Sequence, residues 1–217
     1  TPTPTKPSGA ETPTPYDFEN PNQGIAVLDG FGGLHELGDI DLLTDLNDDG
    51  TISPAERVPL FPYYTGRDAY RAIDLFIENG KPRAVVALRG DGRVYSAQIN
   101  ADGTVKRGFL PDLGITFSSF NDVVDVQFTN NGDGYFVLLN DGTLISVDKN
   151  GVQNALRLNT GTTSVDEGAI DSVQNPAVDL ELVNAPNAID TPDAYVLDAR
   201  GFIHALGNAV PLIGAVS

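Results

Sequence analysis

The 217-residue chain contains no cysteine, no methionine and no tryptophan. The first absence rules out disulfides, thiolate nucleophiles and cysteine-based metal centres. Basic residues are scarce: thirteen Lys and Arg stand against thirty Asp and Glu, a net charge of −17. A surface this negative repels phosphate backbones and anionic lipid headgroups, so no nucleic acid is expected as a partner, whereas divalent cations are favoured. No apolar run approaches the roughly eighteen residues of a bilayer-spanning helix, so no membrane insertion is expected. Helical periodicity is weak everywhere. With only His35 and His204 as imidazoles and no Gly-x-Ser-x-Gly elbow, no nucleophile–base set stands out, and the expectation is a protein that is not an enzyme. The chain begins Thr1-Pro2 rather than with methionine, as a chain that has lost a secretion signal would.

What the sequence has instead is a repeat. Gly24–Gly38 reads as a short buried strand, a glycine turn and an antiparallel return strand, and its counterparts are 84–97, 134–147 and 194–207. An anchor leucine recurs at Leu28, Leu88, Leu138 and Leu197, with the turn glycine four residues on at Gly32, Gly92, Gly142 and Gly201. Each cassette is preceded by an apolar-Asp-apolar strand centred on Asp17, Asp74, Asp125 and Asp179. A fourth strand is expected around Arg57–Phe61, Val105–Leu110, Val152–Leu158 and Val210–Ile213. Pairs such as Asp91-Gly92, Asn131-Gly132, Asp141-Gly142 and Asn150-Gly151 supply the positive φ of tight hairpins. Four hairpin-linked strands, four times over, predict an all-β fold, a β-propeller of four blades with four antiparallel strands each and an extended N-terminal tail. The predicted organisation is a Thr/Pro-rich tail over 1–15 and a propeller over 16–217, with blades at about 16–61, 72–110, 123–158 and 177–214. Half of an eight-bladed assembly is the competing arrangement. Blades packed face to face bury both sides of a strand, which suits continuous apolar runs such as Ala84–Leu88 and Tyr135–Leu139.

Ala26-Val27-Leu28-Asp29-Gly30-Phe31-Gly32-Gly33-Leu34-His35 and Tyr195-Val196-Leu197-Asp198-Ala199-Arg200-Gly201-Phe202-Ile203-His204 resemble a repeat of bacterial secreted and cell-surface β-propeller proteins. That repeat has the form Gly-Tyr-Val-Leu-Asp-Gly-x-Gly-Gly-Val-His after an Ala-Arg-Asp-Leu strand, which Tyr70–Leu75 echoes. Repeats two and three depart from it, with Tyr95 and Ile145 in place of the histidines. The plan of four blades also resembles hemopexin-like domains, by architecture and not by motif. The resemblance implies an extracellular or cell-surface location and a blade, with no particular activity.

The sharpest chemical signal is Asp45–Glu56, which matches the EF-hand-like calcium loop D-x-[DN]-x-[DN]-G-x₅-E at every position. Hard cations take six to eight oxygens. Asp45, Asn47 and Asp49 supply side chains from alternate positions, Thr51 its carbonyl, Ser53 a water and Glu56 both carboxylate oxygens, around the bend at Gly50. Pro59 and Pro62 leave no room for a long exiting helix, so the loop is read as one isolated Ca2+ insertion at 45–56 that stiffens the first blade.

Other features carry less. The repeated aspartates either ring a central channel that holds a cation or water, or accept backbone hydrogen bonds from a neighbouring loop, and the second use is expected. His35 and His204 occupy equivalent places and read as blade residues. Tyr63-Tyr64 and Phe117–Phe120 are the aromatic clusters in loops, and the connection 159–175 carries Asp166, Glu167 and Asp171. Thr1–Pro15 suits an extended spacer and O-linked glycosylation. The function expected is a non-catalytic, calcium-stabilised structural or interaction module, with self-association or other surface proteins as partners and a filament or surface appendage as one setting. The alternative is a carbohydrate-binding module, or a polysaccharide-active enzyme, using the loop face for glycans.

Overall fold

The computed structural model describes residues 24–32, 34–38, 69–78, 81–100, 104–115, 117, 122–157, 170 and 174–210. Among them the regular elements are thirteen β-strands, and none is helical. The strands are β1 (Gly24–Leu28), β2 (Leu34–Gly38), β3 (Tyr70–Glu78), β4 (Lys81–Arg89), β5 (Val94–Ile99), β6 (Val105–Arg107) and β7 (Val123–Phe128). They continue as β8 (Gly134–Leu139), β9 (Thr143–Asp148), β10 (Gly151–Arg157), β11 (Ala177–Asn184), β12 (Asp193–Asp198) and β13 (Ile203–Leu206). Hydrogen bonding groups them into four antiparallel sheets, β1-β2, β3-β4-β5-β6, β7-β8-β9-β10 and β11-β12-β13. Every paired strand is the sequence neighbour of its partner, so the sheets are meanders built by tight turns.

The repeated cassette has one register in all four copies. The anchor leucine faces the residue six positions on: Leu28 pairs with Leu34, Leu88 with Val94, Leu138 with Leu144 and Leu197 with Ile203. Each turn is closed by the glycine N–H donating to the carbonyl three residues back, at 3.0, 2.9, 3.0 and 2.9 Å for Gly32, Gly92, Gly142 and Gly201. These glycines have φ of 96°, 86°, 81° and 88°, a region that costs any residue with a Cβ. At Gly92 there is no room either, because a Cβ would lie 2.5 Å from the Phe117 ring and 2.8 Å from the Ile115 carbonyl.

Alternation along the second strand of a sheet divides its side chains between two cores. From β8, Tyr135 and Val137 join a cluster with Val86, Leu88, Val126 and Phe128, while Phe136 and Leu138 join Leu144, Leu180 and Val196 on the other side. From β4, Val86 and Leu88 face the first of these clusters, and Val85 and Ala87 face a third with Tyr70 and Leu28. The second and third sheets are thus covered on both faces, as the uninterrupted apolar runs require. Burying a side chain such as Phe136 contributes about 1.5–3 kcal/mol relative to exposure. The buried Tyr135 hydroxyl is satisfied by donating to the Pro111 carbonyl at 2.7 Å; burial, with Asp112 nearby, pushes its ionisation well above the usual phenol range.

The first strands hold the row together: β3 packs beside β7, and β7 beside β11. Among the described residues nothing joins the β11–β13 sheet to β1 or β2, so the described sheets form an open row. Two sheets have the four strands predicted. The last has three, and Val210, placed at the start of its predicted fourth strand, is in none. The strands predicted at Tyr16–Phe18 and Arg57–Phe61 lie outside the described residues.

Candidate functional site

The calcium-loop residues Asp45, Asn47, Asp49, Thr51, Ser53 and Glu56 lie outside the described residues, as do Tyr63, Tyr64, Asp166, Glu167 and Asp171. Among the described residues no group of three or more His, Asp or Glu is placed to hold a metal ion. Phe117, read from sequence as part of a loop cluster, instead packs against the core and stands over Gly92.

The aspartate series is the constellation that the fold brings together. Asp74 on β3 accepts from its neighbour Leu75 N at 2.8 Å and, with its other oxygen, from Phe128 N of the next sheet at 2.7 Å. Asp125 on β7 repeats the device, accepting from Val126 N at 2.8 Å and from Leu180 N of the sheet after it at 3.2 Å. Each carboxylate therefore ties two sheets. Asp179 on β11 is the last of the series; it is exposed and accepts no hydrogen bond from a described residue. Its neighbours Val178 and Val183 are 44% and 56% exposed, the condition of a strand at the end of the row. Asp17 lies outside the described residues.

Burial pushes the Asp125 carboxyl up to about 7; the bonds from Val126 and Leu180 oppose this, while Asp179 and Asp74 reinforce it by like-charge repulsion. Asp74 is raised by burial as well, against the bonds from Phe128 and Leu75, with Glu181 adding a smaller push. Stacking the first strands thus brings repeat-matched carboxyls within each other's field.

Two residues that sequence reasoning missed complete the seam between the third and fourth sheets. Gln127, two positions past Asp125, donates through Nε2 to the Leu180 carbonyl and accepts from Leu182 N at 2.8 Å. Its carboxamide thereby behaves as one more peptide group against β11. Asn130 adds a backbone bond to the Ala185 carbonyl at 2.7 Å and a side-chain bond from Ala185 N at 3.3 Å. No local pattern announces contacts spanning more than fifty residues.

The histidines have a structural explanation. His204 Nε2 lies 2.9 Å from Asp198 Oδ2, closing a clasp across the cassette turn, and His35 makes the same 2.9 Å contact with Asp29. Asp198 also accepts from Asn175 Nδ2 at 2.7 Å and from the Arg200 and Phe202 amides at 2.9 and 3.0 Å. Burial would raise this carboxyl, but the bonds from His204, Asn175, Phe202 and Arg200 outweigh it and hold it below the ordinary carboxylate range. The two clasps differ in setting: the His204 side chain is 7% exposed and that of His35 is 62% exposed. A signal for the pairing was present in the sequence. Repeats two and three lose both partners together, having Arg89 with Tyr95 and Leu139 with Ile145.

No protein-family model matches the chain, and no curated protein matches it. Among solved structures it is similar to a crystal structure of a protein from Lactobacillus plantarum determined as a structural-genomics target, at 13% identity and a TM-score of 0.33. The match covers 64% of this chain and 40% of that one, so the chain spans well under half the length of the structure it matches.

Proposed function

We propose that the chain is a four-bladed β-propeller acting as a non-catalytic structural or interaction module of an extracellular or cell-surface protein, stiffened by calcium at Asp45–Glu56. The observation that carries this reading is the use made of the repeated carboxylates. Asp74 and Asp125 have both oxygens engaged by backbone amides, one from their own strand and one from the next sheet, which is the chemistry of a scaffold. Asp179 at the end of the row has the same residue and no such donor among the described residues. In a ring of four, the backbone of the strand predicted from sequence around Tyr16-Asp17-Phe18 would supply one. The Thr/Pro tail over 1–15 would then leave the ring at that seam, free to lie along a blade edge of a neighbouring copy.

Calorimetric titration of metal-free protein with calcium, beside the Asp45→Ala/Glu56→Ala variant, tests the metal. Binding with the wild type alone is expected, and equal heats from both would remove calcium from the reading. Electron microscopy of the protein with and without residues 1–15 tests assembly. Filaments that require the tail are expected, and monodisperse particles in both samples would overturn the appendage role.

A further inference from the structure

The seam between the second and third sheets is not filled as its neighbour is. Two positions past the aspartate, β3 carries Phe76 where β7 carries Gln127. The Phe76 ring packs on Phe128, with centroids 6.1 Å apart, and lies against Gly132, where a Cβ would meet it at 2.9 Å. Beyond the ring the seam opens into a cleft of about 280 Å3, bordered by Phe76, Glu78, Arg83, Gln98, Asn131 and Asp133.

The polar groups at this cleft are underused. Among the described residues the Gln98 carboxamide meets no hydrogen-bond partner, nor does the buried Arg83 Nε, which faces Glu78 Oε2 at 3.6 Å, an ion-pair distance. Asn131 Oδ1 accepts from Thr129 Oγ1 and Asp133 N at 2.8 and 3.0 Å, which fixes the turn, while its Nδ2 sits 3.5 Å from Asp133 Oδ2. The cleft is therefore lined by both hydrogen-bond donors and acceptors, together with an aromatic ring.

We propose that this cleft binds a single neutral sugar ring, through hydrogen bonds from its hydroxyls to Glu78, Arg83, Gln98 and Asp133 and contact of its C–H face with Phe76. Vicinal hydroxyls are both donors and acceptors, so they match carboxylate, guanidinium and carboxamide together. Neutral ligands are favoured because Glu78 and Arg83 already compensate each other's charge. A phosphate or uronate would meet Asp133 and the field of a chain at −17, and an ammonium ligand would meet the Arg83 guanidinium. The size suits one ring held at a seam and leaves a longer glycan to run into solvent. The site stands whether or not the row of sheets closes, and it is separate from the aromatic loop residues that the sequence first suggested for glycans.

The test is saturation-transfer NMR and titration of the full chain with the methyl glycosides of glucose, galactose, mannose and N-acetylglucosamine. Methyl glucuronide and glycine serve as charged probes. At least one neutral glycoside is expected to bind in the millimolar range, with affinity reduced tenfold or more by Gln98→Ala and by Arg83→Ala at unchanged melting temperature. If Arg83→Ala loses the fold, Gln98→Ala and Glu78→Gln decide the matter, since both sit at the rim. Absence of binding by all four neutral glycosides, equal binding by the variants, or preference for a charged probe would each overturn the proposal.

Discussion

The seam between the second and third sheets and the seam between the third and fourth are built on one plan and finished differently. Both begin with a first-strand carboxylate accepting an amide from the next sheet, Asp74 from Phe128 and Asp125 from Leu180. Past that point the first seam relies on rings, Phe76 and Phe109 packing on Phe128 at 6.1 and 6.4 Å. The second relies on carboxamides, Gln127 and Asn130 bonding to the backbone of β11 and the residue after it. The difference teaches how a repeat can keep its architecture while one interface varies. The hydrogen-bonded seam is closed by groups of fixed length, and the apolar one leaves a cleft wherever its rings do not reach.

That contrast can be broken by mutation. Phe128→Ala is expected to cost the most, about 3–5 kcal/mol in a urea titration, because it removes a buried ring from one cluster and leaves a void between two sheets. Gln127→Ala on the other seam is expected to cost about 1–3 kcal/mol, the penalty of leaving the Leu180 carbonyl and the Leu182 amide without partners. Equal losses from the two variants would mean that the two seams are held by the same kind of force.

A third prediction concerns acidity. The folded Asp125 titrates near 7 against an ordinary value of 3.8, so between these values the folded protein holds a proton that the unfolded chain has released. Its contribution to stability is fully present below about pH 4 and is lost as pH rises through about 7; Asp74 acts in the same direction. Asp198 acts oppositely, its contribution being present above the ordinary value and lost as pH falls. Melting temperature followed from pH 4 to 8 should therefore decline less steeply in Asp125→Asn than in the wild type. Parallel curves would show that the seam carboxyl does not sense pH.

The smallest effect belongs to His35→Ala, within about 0.5 kcal/mol of the wild type, since that clasp is largely in water. The same change at His204 takes a donor from a fully buried carboxylate and should cost about 1–3 kcal/mol. Chemical denaturation of the two variants side by side separates a clasp that is buried from one that is on the surface.

The parts of this molecule that were legible in its sequence are the local ones. The register of Leu28 with Leu34, and of its three counterparts, follows from a turn of fixed length and a glycine at the position needing positive φ. The two-sided burial of β4 and β8 followed from their uninterrupted apolar residues. The structural use of Asp74 and Asp125 was expected from their recurrence, although the donor proved to be the adjacent sheet's first strand and not a loop. Gln127 and Asn130 were not legible, because their partners at Leu180, Leu182 and Ala185 are fixed by how the sheets stack and not by any spacing within a repeat. The Phe76 cleft was hidden for the same reason. It exists because one seam has a ring where the other has an amide.

The nearest-neighbour pairing of the described strands has a kinetic consequence. Each meander needs only contacts between adjacent stretches of chain, so it can form while the rest is still being synthesised, at little cost in loop entropy. The amide bonds to Asp74 and Asp125 span more than fifty residues and are expected to form last. The docking of finished sheets is then the expected slow step in maturation, and a chain halted at that stage would expose the greasy faces of β4 and β8 to its neighbours.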